Sequence, residues 1–438
     1  MRIFNVEEAQ QSILKRRVMN WNEYSQETIR RTEDIFGKGV TPYQAVEIIL
    51  KSVEEEGDNA VRKWSQRLDA FFLCEEISIQ PSYLEEAWNQ LPKKIQEAMR
   101  IAVDRIRGFH QNQSVRNWIT SDMGGELGQR VIPIGRVGIY VPGGTAPLPS
   151  SLLMSVIPAQ VAGVKQVIVT TPPKPDITIL GAAFLCGIQE FYQVGGAQAI
   201  AAMAFGTETI KRVDKIFGPG NLFVTLAKQQ LFGVVGMDGL AGPTETMVIA
   251  DQIANPAWVA ADLLAQAEHD VLASAILLTP DFPLAEAVQQ EVIKQIDNLS
   301  RKEIIRKSIE YSGGIVVTDT LEQAAQLADA YAPEHLCLSV EQPKVLMEMI
   351  GNAGGFFLGE HSFEVLGDYV AGPSHVMPTG GTARFASPLN VLDFVKISSV
   401  IGLDKDTSLS LCKIAIEMAE LEKLTAHASA ARARMEGI

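Results

Sequence analysis

Cysteine is scarce in this chain. The 438 residues include four cysteines, which stand far apart and form no Cys-x-x-Cys pair. Because isolated thiols in apolar surroundings are usually reduced and buried, we expect neither disulfides nor a metal site built on thiolates. The four residues are Cys74, Cys186, Cys337 and Cys412.

Clustered positive charge is absent too. The formal net charge is −14, the pI is near 5.0, and lysine and arginine form no basic stripe. Because binding to phosphates needs such a cluster, a nucleic-acid surface is excluded. Acidic runs such as 54–56 need no role beyond a solvated face. A chain of this length that is 47% hydrophobic and 21% charged is expected to form two or more domains.

Long apolar runs are missing as well. None reaches the roughly 18 residues that a membrane span requires, and residues 1–8 contain no apolar signal core. A membrane partner is therefore not expected. We expect a cytoplasmic protein.

The sequence does contain a change of pattern near residue 121. Before about residue 115 the periodicity is mainly helical, with one short apolar stretch near Ile77 that could form a strand. After the polar segment 121–126, short β-type runs alternate with helix-length stretches, and helix returns after Pro388. The runs form two series, 137–141, 166–170, 191–194 and 215–217, then 246–250, 275–278, 314–317, 335–338 and 355–358.

Strands of this kind predict parallel sheets. Runs rich in β-branched residues and joined by helical crossovers form sheets that are covered on both faces. Two sheets are favoured over one, because open twisted sheets rarely exceed about ten strands. The predicted fold class is α/β, with two doubly wound, incompletely Rossmann-like parallel-sheet domains and helical extensions at both ends of the chain.

Three glycine turns follow strands of the first series, at 140–144, 194–198 and 217–221. Ligands bind at the carboxyl edge of a parallel sheet, where helix N-termini offer free N–H groups to a phosphate. Each turn by itself is explained by tight chain reversal, and the usual Gly-x-Gly-x-x-Gly fingerprint is missing. A nucleotide site and simple reversal both stay open at this point.

A second cluster has the residue types of a metal site. Gln266 and His269 lie three residues apart in one helical run, so their side chains leave the same face and could converge. A hydrogen-bonded surface pair is the alternative. Asp368 and His375 later add a carboxylate and an imidazole, and His427 follows in the tail. Nitrogen and oxygen donors without cysteine suit zinc or a similar divalent ion at about 2.0–2.2 Å.

Glu334 and His335 stand side by side where a helical run meets a strand. A neutral imidazole can take a proton near pH 7, and such acid/base catalysis contributes about 10²–10⁴-fold. Pro333 fixes the local backbone. The alternative is structural, because a glutamate after proline often starts a turn and a histidine facing a strand is often satisfied within a core.

Taken together, these motifs resemble the histidinol dehydrogenase family. The resemblance is dense from about residue 128 to 424 and looser before that. The matching segments are 136–144, 195–202, 215–221, 265–269, 332–336 and 378–381.

The resemblance implies a zinc- and NAD-dependent oxidation of L-histidinol to L-histidine, the last step of histidine biosynthesis. The reaction passes through an enzyme-held aldehyde and consumes two NAD. One zinc ion per subunit is expected. The resemblance implies that the zinc ligands are Gln266, His269, Asp368 and His427.

It also implies separate roles for the acid/base pair. His335 is the base for both hydride transfers, and Glu334 activates the water that hydrates the aldehyde. Tyr140, Gln198 and Asn221 fall where the family contacts NAD. The implied substrate contacts are Thr244, Gln266, His269, His335, Asp368, His375, Glu422 and His427.

The family is a homodimer with intertwined tails, so Glu422 and His427 would complete the partner's site. The predicted domains are an N-terminal helical extension (1–30), a discontinuous α/β domain with the zinc and catalytic residues (31–138 and 245–389), an NAD-binding Rossmann-like domain (139–244) and a dimerising helical tail (390–438).

One position departs from the family pattern. Thr244 stands where the family commonly has serine, and the added methyl group could reshape the substrate pocket. A related dehydrogenase of another small polar alcohol is therefore an alternative function. A zinc hydrolase that needs no cofactor and a non-catalytic metal-binding scaffold are the others.

Overall fold

The computed structural model describes residues 1–16, 23–71, 76–113, 115–143 and 147–437. Cys74 and Gly144, which the sequence analysis names, lie outside these ranges. Across the described ranges, no helix combines the length and apolar character needed to cross a lipid bilayer. Cys186, Cys337 and Cys412 are buried free thiols.

The strands are short and spread along the whole chain. They are β1 Ile3–Asn5, β2 Ser78–Ile79, β3 Trp118–Thr120, β4 Glu126–Pro133, β5 Arg136–Tyr140, β6 Gln166–Thr170, β7 Glu190–Tyr192, β8 Lys215–Phe217, β9 Gly236–Met237, β10 Glu245–Ala250, β11 Ser274–Thr279, β12 Gly314–Val317, β13 His335–Ser339, β14 Gly355–Leu358 and β15 Val395–Gly402.

Helices separate most of these strands. They are α1 Val6–Gln11, α2 Gln26–Phe36, α3 Pro42–Glu56, α4 Asp58–Asp69, α5 Pro81–Gln90, α6 Lys93–His110, α7 Pro149–Val161, α8 Ile177–Leu185, α9 Gly196–Phe205, α10 Leu222–Gln230, α11 Pro256–Ala267, α12 Phe282–Ile296, α13 Lys302–Ser312, α14 Leu321–Tyr331, α15 Pro343–Met347, α16 Glu364–Tyr369, α17 Lys405–Leu421 and α18 Thr425–Glu436, with 3-10 turns at Thr382–Arg384 and Val391–Phe394.

The first sheet has the order β2-β7-β6-β5-β8-β9. It is parallel except for the edge strand β2, which runs antiparallel to β7. The order reverses between β5 and β8, because β6 pairs with one side of β5 and β8 with the other. Ligands bind outside the carboxyl ends of strands at such a switch point. The turns that follow Tyr140 and Phe217 therefore lie together at one edge.

The second sheet is fully parallel, in the order β1-β12-β11-β10-β13-β14. Its order reverses between β10 and β13, and Thr246 on β10 pairs with His335, the first residue of β13. The amino ends of these two central strands are thus adjacent. Both parallel sheets confirm the predicted fold class, and every predicted strand run is present within a few residues.

Helices α2 to α4 pack on the first sheet, whereas α1 packs on the second. Val46, Val53 and Trp64 share a core with Ile168 and other residues of that sheet and its helices. Helices α5 and α6 pack on its other face, against α7 and α8. Residues 31–138 were predicted to belong to the domain of the second sheet. Helices α3 to α6, which lie in this range, pack on the first sheet instead. An amphipathic helix reveals which of its faces is buried but not which sheet covers it.

Both ends of the chain also contain strands that the sequence analysis assigns to helical extensions. β1 lies at the edge of the second sheet and pairs with β12. After Pro388 the chain forms β15 before any long helix begins, and β15 pairs with β4 in a small antiparallel sheet, β15-β4-β3. Exposed isoleucines on β15, Ile397 and Ile401, hide the alternating pattern that marks a half-buried strand.

Candidate active site

The acid/base pair lies at the amino edge of the second sheet. Helix α14 ends at Tyr331, and Ala332 caps it in the left-handed region at φ 53°. Pro333 stops the helix, and two residues later His335 opens β13. Both members of the pair are buried, with 6% of Glu334 and 3% of His335 exposed. Buried ionisable side chains with shifted pKa values are concentrated at functional sites.

One oxygen of Glu334 is committed to hydrogen bonds. Oε2 accepts from the Thr244 hydroxyl at 2.6 Å and from the Glu245 backbone N–H at 2.9 Å. The same oxygen lies 3.5 Å from His335 Nδ1. Because Oε2 is occupied, Oε1 is the atom that can accept a hydrogen bond from a water molecule.

His335 is oriented by the backbone of β10. Its Nδ1 donates to the Glu245 carbonyl oxygen at 3.1 Å. A carbonyl oxygen only accepts, so Nδ1 carries the proton in this arrangement and Nε2 is the basic nitrogen. Within the described residues, Nε2 is buried without a hydrogen-bond partner, and its neighbour is the Asp368 carboxylate at 3.8 Å.

Carboxylates surround this imidazole. Burial alone would lower the pKa of His335, but the charges of Glu364 and Glu334 outweigh it, and the pKa is raised above its usual value. Glu364 Oε1 lies 3.8 Å from His335 Nδ1, and Asp368 lies on the other side of the ring. A divalent cation bound beside the ring would offset this excess of negative charge.

Glu364, which was not predicted from the sequence, lies beside His335 in this candidate site. It is 1% exposed, and burial raises its pKa to about 7. Oε2 accepts from the Thr246 hydroxyl at 2.7 Å, whereas Oε1 has no hydrogen-bond partner in the described part of the chain. No motif marks this glutamate in the sequence. Its role depends on the packing of the short helix α16 beneath β13.

The candidate metal ligands partly converge. Gln266 is buried at the end of α11 and its Nε2 donates to the Thr244 hydroxyl, which leaves Oε1 as the atom for a metal. The same Nε2 lies 3.3 Å from His335 Nδ1. Helix α11 ends at Ala267, so His269 lies in the following turn and not on the helix as expected.

Asp368 occupies the centre of this group. Burial would raise its pKa, but the neighbouring His335 outweighs burial and the pKa is lowered. His375 and His269 act in the same direction. His375 Nδ1 donates to the Asp368 carbonyl oxygen at 2.7 Å, and its Nε2 lies 3.2 Å from the Ser151 hydroxyl. Burial lowers the pKa of His375.

The remaining two predicted site residues lie elsewhere in this chain. Glu422 caps the end of α17, His427 lies in α18, and both are exposed. Among the described residues, no three His, Cys, Asp or Glu side chains gather closely enough to hold a metal. By donor type, the amide oxygen of Gln266, the imidazole of His269 and the carboxylate of Asp368 suit a zinc-type ion, as three donors that need a fourth.

A separate cleft of about 740 Å³ contains the three residues expected to contact NAD. Tyr140 Oη accepts from the Gly196 N–H at 3.2 Å. Gln198 is fully buried and donates through Nε2 to Asp69 at 3.3 Å. Asn221 caps α10 by accepting from two backbone N–H groups. A cleft of this volume is large enough for a nucleotide.

Asp69 was not expected at this cleft. It is the last residue of α4 and lines the cleft, and burial raises its pKa to about 6. Its bond to the Gln198 amide leaves Gln198 Oε1 buried and, among described residues, without a partner. An unpaired acceptor of this kind is suited to a ligand N–H or O–H group.

The two clefts adjoin. A cleft of about 820 Å³ is lined by Thr244, Glu245 and His269 beside the second sheet and by Gly220, Leu222 and Thr225 beside the first. Thr28 lines both clefts. The carboxyl edge of the first sheet therefore faces the amino edge of the second. A nucleotide on the first sheet would lie next to a substrate held beside the acid/base pair.

Two parallel sheets, a nucleotide-sized cleft and a buried acid/base pair define an α/β oxidoreductase of the dehydrogenase class. A family model described as histidinol dehydrogenase matches residues 34–435. The chain belongs to the histidinol dehydrogenase family.

Curated relatives and a solved structure give the same result. A histidinol dehydrogenase of Synechococcus sp. is 46% identical over 400 residues, covering 90% of this chain and 92% of that protein. One of Thermus thermophilus is 48% identical, covering 89% and 93%. The crystal structure of histidinol dehydrogenase from Elizabethkingia anophelis has a TM-score of 0.90 and 35% identity, and the match covers 100% of this chain and 98% of that one.

Proposed function

We propose that this chain oxidises L-histidinol to L-histidine through L-histidinaldehyde, with zinc and two NAD. Histidinol oxidation in histidine biosynthesis is the activity of its family. The observation that carries the detailed proposal is the buried Glu334–His335 pair. Glu334 accepts hydrogen bonds from Thr244 and Glu245, and these two residues line a cleft that adjoins a nucleotide-sized one. The metal, the cofactor and the individual roles are the proposed part.

His335 takes the proton in each oxidation step. An alcohol becomes an aldehyde by losing a hydride from carbon and a proton from oxygen, and the hydrated aldehyde becomes an acid in the same way. NAD, when bound, supplies the hydride acceptor. His335 Nε2 is the basic nitrogen, because the Glu245 carbonyl oxygen holds Nδ1 as a donor.

Glu334 acts between the two oxidations. An aldehyde has no hydroxyl proton to lose, so water must first add to its carbonyl carbon. Glu334 Oε1 accepts the proton of that water, while Oε2 is held by Thr244 and Glu245. The fixed carboxylate aims one oxygen at the water without reorganising.

Gln266, His269 and Asp368 would hold zinc, with His427 of a second copy as the fourth ligand. When bound, zinc would fix the amine and imidazole nitrogens of the substrate. Thr244 links Gln266 to Glu334 through its hydroxyl, so threonine does here what serine would do. His375 and Glu422 of a second copy remain proposed substrate contacts.

The overall proposal is tested by product stoichiometry. The zinc-loaded chain, given NAD and L-histidinol, is expected to form about two NADH per L-histidine, because each oxidation delivers one hydride. NADH is followed by absorbance and histidine by chromatography. A folded, zinc-loaded sample that forms no NADH contradicts the proposal. Faster turnover of another alcohol favours the related dehydrogenase, and turnover without NAD favours a zinc hydrolase.

The chain is also proposed to work as a homodimer with shared sites. Helix α17 exposes Ile414, Met418 and Leu421, each more than half accessible, and exposed apolar patches of this kind mark protein interfaces. Residues Glu422 and His427 lie just beyond that apolar face. A second copy packed against this face would bring its own Glu422 and His427 to the interface. The expected cytoplasmic location stays a prediction.

Complementation distinguishes shared sites from separate ones. Chains carrying His427→Ala and chains carrying His335→Ala are each expected to be inactive as homodimers. In a mixed dimer one site combines an intact core with an intact tail, so one of the two sites regains activity. The measurement is NADH formation by purified mixed dimers.

A matched control uses two tail variants. A mixed dimer of His427→Ala and Glu422→Ala chains has one damaged tail at each site, so it should stay inactive. Recovery in this control, or no recovery in the first mixture, contradicts exchange of tails between subunits.

A further inference from the structure

Arg16 reaches the catalytic region from the opposite end of the chain. It follows α1, and its side chain is 24% exposed. The guanidinium carbon lies 3.6 Å from the centroid of the Tyr331 ring. Nε donates to the Tyr331 carbonyl oxygen at 2.7 Å, and Nη2 donates to the Ala332 carbonyl oxygen at 2.9 Å. The arginine thus holds the turn that leads directly into the acid/base pair.

The same guanidinium also binds the strand on the other side of the pair. Nη2 donates to Glu245 Oε2 at 2.8 Å, and Nη1 donates to Glu245 Oε1. The Glu245 carboxylate is buried and accepts one further bond, from the Gly380 N–H at 3.2 Å. Paired charges in a bidentate geometry are held more firmly than single hydrogen bonds.

The backbone of Glu245, whose side chain Arg16 holds, is bonded to both Glu334 and His335. Its N–H donates to Glu334, and its carbonyl oxygen accepts from His335 Nδ1. The turn on the other side contains Ala332 in the left-handed region, where a residue with a Cβ atom is strained and must be held by its surroundings. One side chain therefore restrains both segments that set the positions of the two groups.

We propose that Arg16 is a positioning residue that fixes Glu334 and His335 relative to each other and to the substrate cleft. The proposal rests on the catalytic roles proposed above for those two residues. A direct role in binding substrate is not favoured, because four of the five guanidinium N–H groups are already committed to protein oxygens.

Substitution separates positioning from bulk stability. Arg16→Ala is expected to lower kcat by about 10²-fold, the loss typical of a misplaced catalytic group, with KM for NAD changed less than about twofold. The nucleotide cleft is lined by other residues and should be unaffected. Millimolar guanidinium chloride should restore part of the kcat, because the free ion can refill the space and bond to Glu245.

Arg136→Ala is the matched control. Arg136 is buried and, like Arg16, forms a bidentate pair, with Glu190 at 2.6 Å, but at the amino end of the first sheet. Removing it should lower the melting temperature without lowering the kcat of the folded fraction, and guanidinium should not raise kcat. If it lowers kcat as much as Arg16→Ala does, the positioning role is overturned.

Several other results would overturn the positioning role of Arg16. An unchanged kcat in Arg16→Ala, or a loss that guanidinium does not reverse, overturns the proposal. If that variant does not fold, Arg16→Lys takes its place, with an expected loss of about 10-fold because one ammonium cannot bridge both segments. Wild-type kcat in Arg16→Lys also overturns the proposal. Full activity in His335→Gln would instead contradict the proposed function, which keeps the two failures distinct.

Discussion

Replacing His335 with glutamine is expected to slow both oxidation steps by about 10²–10⁴-fold, the usual contribution of a general base. Glutamine can still donate to the Glu245 carbonyl oxygen, so the geometry of β10 and β13 should persist. It cannot take a proton at pH 7. Single-turnover NADH formation from L-histidinol and from L-histidinaldehyde measures the two steps separately.

The control for this variant is the same change at an exposed histidine. His361 lies beside Trp258 on the surface, with ring centroids 5.8 Å apart. His361→Gln should leave both steps at wild-type rates. If His335→Gln slows one oxidation and leaves the other unchanged, a single base does not serve both steps.

Glu334→Gln is expected to slow the aldehyde-to-acid half by about 10²-fold and the alcohol half much less. The amide oxygen of glutamine can still accept from Thr244 and the Glu245 N–H, so the fold is retained. The group then facing the water is an amide nitrogen, which accepts no proton. Aldehyde should therefore accumulate during turnover of L-histidinol, and a trapping reagent for aldehydes would detect it.

The separate roles are tested by comparing the rates of the two half-reactions in Glu334→Gln and in His335→Gln. Glu341→Gln, at an exposed glutamate just beyond the carboxyl end of β13, controls for loss of one negative charge away from the site. Identical profiles for Glu334→Gln and His335→Gln with the two substrates would remove the division of labour between the residues. A larger effect of Glu334→Gln on the alcohol half would reverse it.

Much of the sheet structure could be predicted from local sequence. Buried parallel strands need continuous apolar runs of β-branched residues, and the runs at 166–170, 215–217 and 314–317 match the observed strands residue for residue. The edge strands β1 and β15 were not predicted, whereas the edge strand β14 was. β1 and β15 bury only part of their side chains, so their sequences lack a clear pattern.

The site was only partly predictable, for a similar reason. Glu334 and His335 are adjacent in sequence, and Gln266 and His269 are three residues apart, so local spacing made them candidates. Glu364 has no marked neighbour. It matters because its carboxylate is buried 3.8 Å from an imidazole that lies 29 residues away in the chain.

By itself, the sequence indicated most of the buried strands and the side chains that we propose to move protons and to hold a metal, because these features depend on residue type and short spacing. Tertiary structure alone decided that helices α3 to α6 cover the first sheet, that the acid/base pair lies at the amino edge of the second, and that Arg16 bonds to the segments on either side of that pair. Each of these depends on contacts between residues far apart in the chain, which local patterns do not encode.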